Sequence, residues 1–470
     1  MPGILSYGAY VPPTRLPLAL IGGRPAKEGG PEKAVAWNDE DAVTLAVTAG
    51  ANCLRGFDRA QVDAVMFACT SQPFAEKQGA ALLARALDLP RAARTADFSG
   101  SLRAGTTALR AASDAVAAGS ARRVLVVASD CRMGAPGSGL EANLGDGAVA
   151  FLVGDADPIA TLDAGAAFSD EIVDTWRAAG DPFVHAWEDR FVVQEGYEPG
   201  IAEGVRGLLE ATGARPADFA RLILYAPDAR SHAAAVRALG FPKDRVQDPL
   251  FGRLGNTGAS FALLQLAAAL ETARAGDRLL VASYGDGAEA LAVSATERLE
   301  KLDARRGVSW HLARRRAVKS YDRYLKARGL EVAEYAAPRD QGLSATVHFR
   351  ERDEDVSFVG HQCQRCGAVQ FPQQRVCETC FSRDAFTRHR LSDKVGRVLT
   401  YTFDFFFPSP DPPTVVTITE IDGARVHLQL VNVAPEDVKL DMPVEFEFRR
   451  IHQVGGRPNY YWKATPLPAA

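Results

Sequence analysis

The sequence lacks three things: a long apolar run, an excess of charge of one sign, and enough paired cysteines for a disulfide framework. Nothing in it approaches the roughly 18 consecutive apolar residues of a membrane span. Lys and Arg number 54 against 58 Asp and Glu, a net charge of −4. Proteins that coat nucleic acid or cling to anionic membranes depend on a basic surplus, so neither partner is expected. The opening MPGILSYGAYVPPTR has no basic segment leading into an apolar stretch, so no secretory signal is read there. The cysteines number seven, an odd count, and four of them fall in one cluster. That pattern suits a reducing compartment and a metal site better than disulfides. The expectation is a soluble cytoplasmic protein.

What is present is ordinary globular material in quantity. The 470 residues, 47% apolar and 24% charged, suffice for two to four domains. Up to about residue 295, short apolar runs (Ala64–Ala68, Arg123–Ala128, Ala148–Val153, Leu222–Tyr225, Arg278–Ala282, Ala290–Val293) alternate with Ala-rich helical stretches. This alternation reads as α/β with buried strands. An internal repeat sharpens it. AGTTALRAASDAVAAGSARRVLVVAS (Ala104–Ser129) parallels TGASFALLQLAAALETARAGDRLLVAS (Thr257–Ser283), and a Gly-Asp-Gly-Ala segment follows each, at Gly145–Ala148 and Gly285–Ala288. Four features recurring in one order indicate duplication, with two similar halves about a pseudo-two-fold axis and the helix N-termini meeting near the middle.

Beyond residue 295 the composition changes. Leu299–Leu330 is charged and helical in pattern, and its basic run (Arg314, Arg315, Arg316, Lys319, Arg323, Lys326, Arg328) reads first as a solvated face and second as an anion site. Ala336–Glu354 reads as irregular linker. Cys363-Gln-Arg-Cys366 and Cys377-Glu-Thr-Cys380 then form a C-x2-C-x10-C-x2-C pattern. Two such knuckles supply four thiolates to a tetrahedral Zn²⁺ and leave no open position, so the expected zinc is structural. From Gly396 onward, alternating runs such as TVVTITEI and VHLQLVNV suggest five short strands in a small barrel of OB type. Arg388–Ala470 carries 10 basic and 10 acidic residues, which offers no basic stripe for phosphates.

The segments DFSGSLRAGTTAL (Asp97–Leu109), LGDGAVAFLVGD (Leu144–Asp155), YAPDARSHAAAVRALGF (Tyr225–Phe241) and GRLGNTGAS (Gly252–Ser260) resemble the thiolase superfamily, nearest its hydroxymethylglutaryl-CoA synthase and β-ketoacyl-ACP synthase III branch. The C-terminal part resembles the zinc-ribbon and OB-fold accessory domain found beside thiolase-like enzymes, with SYDRYLKARGL (Ser320–Leu330) as its lead-in helix. The resemblance implies a duplicated αβαβα fold, acyl-CoA substrates and a homodimer, alone or within a larger complex. The expected boundaries are 1–160 and 161–298 for the two halves, 299–354 for a helical linker, 355–387 for the ribbon and 388–470 for the OB fold.

Carried over residue by residue, the resemblance exposes a departure. The family's nucleophilic Cys, activated by a helix N-terminus, falls on Leu102, with Ser101 before it. The general acid/base Glu falls on Thr70 and the His on Tyr225, while Asn256 matches outright. Leu102 cannot be acylated. Ser101 would need a base, and His185 and His232, the only histidines before residue 300, read as structural. Asn256 and Tyr225 remain competent donors to a thioester oxygen or enolate. Thr70 is equally an ordinary strand-end residue, and Ser101 equally a helix cap. Three readings stand: aldol or Claisen-type chemistry beside a CoA thioester without an acyl-enzyme, a conventional acyltransferase with a displaced nucleophile, and a silent CoA-binding scaffold.

Overall fold

Runs of Val, Leu, Ile and Ala that are buried on both faces build one nine-stranded sheet. Its strands are β1 (Gly3–Tyr10), β2 (Ala64–Ala68), β3 (Arg94–Phe98), β4 (Arg123–Asp130), β5 (Gly147–Gly154), β6 (Ala160–Ser169), β7 (Arg221–Leu224), β8 (Arg278–Tyr284) and β9 (Gly287–Ala295). The computed structural model describes residues 2–330, 345–407, 409–454 and 457–468. These divide into a larger unit (Met1–Trp37, Asp41–Ala84, Leu89–Tyr321) and a smaller one (Asn38–Glu40, Arg85–Asp88, Asp322–Ala470).

The order across the sheet is β7-β8-β9-β6-β1-β5-β4-β2-β3. Its two wings repeat each other. In one, β2 runs parallel to β4, β4 antiparallel to β5, and β5 antiparallel to β1. In the other, β7 runs parallel to β8, β8 antiparallel to β9, and β9 antiparallel to β6. β1 and β6 join the wings through only two residue pairs, Gly3 with Thr161 and Ile4 with Ala160. Even β3 has a counterpart, reduced to a single parallel bridge between Leu222 and Val246.

The repeated helices α2 (Ala104–Ala117) and α4 (Phe261–Leu270) pack against each other and against strands of both wings, while α1 (Ala42–Cys53) lies on β1, β5 and β4 and α3 (Glu198–Thr212) on β9, β6 and β8. Nearly every side chain of α4 is buried, as expected of an all-apolar core helix, and each buried Leu contributes roughly 1.5–3 kcal/mol. The N-terminal ends of α2 and α4 meet, as the duplication implied. A Cβ on Gly105 would lie 2.3 Å from the Ala259 carbonyl oxygen, so only glycine permits the approach.

The charged stretch after residue 295 breaks into short helical pieces at Leu299–Lys301, Val308–Ala313 and Tyr321–Ala327. Its arginines are spoken for within the protein: Arg315 clamps Glu32 at 2.8 and 2.6 Å, and Arg314 lies 4.4 Å over the Trp310 ring. Of the stretch read as irregular linker, Ala345–Asp355 is helical, and residues 331–344 lie outside the described residues.

In the smaller unit, β10 (Val359–Cys363), β11 (Val369–Gln370) and β12 (Phe386–Arg390) form a three-stranded sheet. Strands β13 (Gly396–Asp404), β14 (Thr414–Ile421), β15 (Ala424–Leu430), β16 (Pro443–Val454) and β17 (Arg457–Pro466) follow, closing in the order β13-β14-β15-β17-β16, the connectivity of an OB-type barrel. Burial alternates along β14 and β15, which puts every second side chain inside. Phe448 packs on Tyr460 and Trp462 in that interior. Asp39 lies 3.0 Å from Lys463 and 3.8 Å from Arg449; burial opposes its charge, but the two cations hold its carboxyl below the usual range.

No helix among the described residues is long and apolar enough to cross a membrane.

Candidate functional site

Strand ends in the two wings deliver the polar groups. β2 leads into Cys69-Thr70-Ser71, and β4 ends on the fully buried Asp130. The Asp130 carboxylate accepts from Thr70 N (2.7 Å), Thr70 Oγ1 (3.0 Å), Ser71 N (2.9 Å), Ser71 Oγ (2.7 Å), Cys69 Sγ (3.4 Å) and, from the other repeat, Ala259 N (2.8 Å). Hydrogen bonds to a charged group contribute roughly 1.5–3 kcal/mol each, so this carboxylate fastens both halves. The Thr70 hydroxyl is thus engaged by Asp130. Burial, and then the negative Asp130, push the Cys69 thiol well above its ordinary range, so it stays protonated.

Tyr225 directly follows β7, and its amide continues the ladder by donating to the Ala282 carbonyl at 2.9 Å. Its ring is 3% exposed and packs against Phe261 (5.8 Å), Tyr284 (6.3 Å) and Tyr197 (6.4 Å). Tyr197 ends a π-helical turn, Val192–Tyr197, that runs into α3, and its hydroxyl donates to the Tyr225 carbonyl at 2.8 Å. Asn256 donates to the Ala226 carbonyl and accepts from Gly258 N, both at 2.9 Å. Its side chain and the positive Arg132 lie close enough to the Tyr225 hydroxyl to work against burial there. Burial nevertheless dominates and raises the Tyr225 phenol, which stays protonated at neutral pH. Tyr284 donates to Asp174 Oδ2 at 2.8 Å, and burial and that carboxylate push its phenol up strongly.

The α2 entrance is closed by structural ties. Ser101 Oγ donates to the Gly285 carbonyl at 2.9 Å and accepts from Arg103 N at 3.4 Å, a turn just ahead of α2, whose N-cap Arg103 has no side-chain cap. Arg103 donates to the Phe168 (2.6 Å) and Ala288 (3.2 Å) carbonyls. Leu102 packs on the apolar core. Of the two histidines, His185 stacks on Trp176 at 5.8 Å, and His232 is buried on its helix with its pKa lowered by that burial.

Of the four predicted site residues, Tyr225 and Asn256 come together, Thr70 belongs to the Asp130 cluster, and Ser101 bonds across to Gly285. Sequence reasoning missed Asp130, Arg132, Asp174, Tyr197 and Tyr284. Asp130 and Tyr284 could have been found as polar strand ends following the two repeated segments. Arg132, Asp174 and Tyr197 sit in non-repeated loops or helices and carried no such signal.

In the smaller unit the sulfurs of Cys363, Cys366, Cys377 and Cys380 all lie within 4.8 Å of one another. Cys363 and Cys380 are 3.7 Å apart and Cys366 and Cys377 3.6 Å apart. Zn–S bonds of about 2.3 Å in a tetrahedron require sulfur separations of about 3.8 Å, so the cluster fits zinc. The two knuckles are built alike: Gly367 N donates to the Cys363 carbonyl at 2.9 Å and Phe381 N to the Cys377 carbonyl at 3.0 Å. Gly367 and Phe381 both hold positive φ, 78° and 58°.

The duplicated sheet, with its two repeat helices meeting at their N-terminal ends, has the architecture of the thiolase superfamily. Relatives narrow this. The C-terminal model of 3-oxoacyl-[acyl-carrier-protein] synthase III matches residues 209–296. A hydroxymethylglutaryl-CoA synthase from Methanosarcina mazei is 32% identical over 342 residues, 70% of this chain and 98% of that one. Its counterpart from Pyrococcus furiosus is 32% identical over 336 residues, 69% and 95% of the two chains. A solved HMG-CoA synthase complexed with CoA superposes with a TM-score of 0.63 at 22% identity, covering 72% of this chain and 92% of that one. The synthase III of Thermus thermophilus gives 0.55 at 26% identity, covering 62% and 98%. The chain belongs to the hydroxymethylglutaryl-CoA synthase family.

Proposed function

We propose that this family member makes or breaks a carbon–carbon bond next to a CoA thioester by aldol or Claisen-type chemistry, without an acyl-enzyme. What supports the reading is Asn256 close to the buried Tyr225, with Leu102 standing where the family resemblance puts the nucleophile. An acyl-CoA binds with its thioester oxygen at these two donors. Enolate charge develops on that oxygen, and preorganised neutral donors stabilise it more than they stabilise the ground state. A protonated Tyr225 suits the donor role and not that of a base. Cys53 and Cys69 offer little to the displaced-nucleophile alternative, since burial pushes Cys53 up to about 12 and Cys69 well up; Cys131, half-buried next to Asp130, is the thiol of the larger unit left for an adduct to reveal.

The four cysteines hold a structural zinc, which ties together a segment with little core of its own. Two copies pair through β3, the sheet's edge strand, whose residues are exposed or half-buried; light scattering at micromolar concentration checks this, and a monomer would rule it out.

Intact mass after incubation with acyl-CoA, followed by turnover of Tyr225→Phe, tests the chemistry. Turnover without an adduct, lost in Tyr225→Phe, supports it. A covalent adduct would favour the acyltransferase, and binding without turnover the scaffold.

A further inference from the structure

The enolate reading leaves one role unfilled, because the family's acid/base Glu is Thr70 here and its hydroxyl is committed to Asp130. The buried Tyr284–Asp174 pair lies on the other side of Tyr225. Asp174 is 8% exposed and Tyr284 3%. The Tyr284 hydroxyl donates to Asp174 Oδ2 at 2.8 Å, and its ring lies 6.3 Å from that of Tyr225 at an interplanar angle of 32°. The ring is boxed in: a Cβ on Gly196 would come within 2.4 Å of the Tyr284 oxygen, and one on Gly200 within 3.0 Å of the ring. The π-helical turn that ends on Tyr197 brings Gly196 there, and Tyr197 meets Tyr284 edge-on at 5.7 Å. Such turns recur at functional sites. The chain has thus fixed a carboxylate–phenol pair beside its two donors.

We infer that Asp174, acting through the Tyr284 hydroxyl, accepts the α-proton of the acyl-CoA held at Tyr225 and Asn256. The inference rests on the enolate reading above. The α-proton passes to the Tyr284 oxygen as Tyr284's own proton passes to Asp174, which becomes a neutral acid. The C–H electron pair becomes the enolate, whose charge sits on the thioester oxygen. Reversal returns a proton to the α-carbon, so no oxidant, reductant or co-reactant is consumed. The charged and titratable groups facing the pair are Tyr225 and Asp286 against Tyr284, with Arg132 beyond Tyr225. Asp174 is the positioning partner whose charge makes Tyr284 able to receive.

The test is α-proton exchange in D₂O, followed by NMR, with full-length protein and acetyl-CoA or propionyl-CoA. The wild type should exchange. Asp174→Asn and Tyr284→Phe should each slow exchange by at least ~100-fold, the scale of lost proton-transfer catalysis. CoA affinity should hold, and Asp174→Glu should restore part of the rate, which a merely structural role would not produce. Exchange in Asp174→Asn at the wild-type rate overturns this inference and leaves the enolate reading standing. Full exchange by Tyr225→Phe, or none by the wild type with either thioester, overturns the enolate reading and this inference with it.

Discussion

Cysteine is treated in opposite ways in the two units. In the larger one, Cys53 and Cys69 are buried, protonated and bonded to Ser6 and Asp130, and Leu102 at the α2 entrance packs on the apolar core. In the smaller one, four thiols converge at ligand spacing and two of them are exposed. On the proposed reading, sulfur serves architecture and the chemistry falls to oxygen and nitrogen donors. The two repeats show the same contrast on a finer scale. The α2 entrance is bolted by Ser101 and Arg103 to carbonyls of the other wing, while the α4 entrance keeps Asn256 beside a phenol. The two repeats thus present two similar entrances, and the proposed chemistry uses the one at α4.

The comparison breaks most visibly if metal is taken from the smaller unit. Structural zinc stabilises by an apparent ~10–16 kcal/mol. Cys377→Ser or a strong chelator should therefore unfold Val359–Arg390, seen as lost protection from hydrogen exchange, while the larger unit stays folded. Metal analysis should find one zinc per chain, and folded protein without it would end the idea. Next come the oxygen-side donors: Tyr225→Phe and Asn256→Ala should each lower turnover by ~10²–10³, the range for removing one oxyanion donor, with thioester affinity nearly unchanged in calorimetry. Asp130→Ala should cost at least ~3 kcal/mol in urea unfolding, because six donors lose a buried charged acceptor. Smallest of all, Ser101→Ala should cost ~1 kcal/mol of stability and leave turnover intact. A dead Ser101→Ala enzyme would reverse the comparison and revive a serine acyltransferase.

The repeat made the larger unit legible because equal strand–helix–strand segments must fold alike, and the strand pairings of the two wings do match. The cysteine spacing was legible for a similar reason, since a two-residue gap permits little besides a knuckle. The site was half legible. Asn256 and Tyr225 occupy motif positions, but their surroundings come from residues 132, 174, 197 and 284, which only the folded sheet brings together. The basic run from Arg314 was legible as charge and not as partner, because Glu32, which engages Arg315, comes from a distant segment.

A π-helical turn amounts to one extra residue accommodated within an α-helix. The turn at Val192–Tyr197 therefore marks a one-residue insertion whose effect is directional. Deleting Gly196 would let the segment relax to α with its flanks in nearly the same phase, so the change falls on the turn itself. Glu195 would then take Gly196's place and put a side chain against the Tyr284 oxygen, in space that tolerates none. Length in this loop, more than identity, should then separate chains that keep the tyrosine cluster from chains that have lost it.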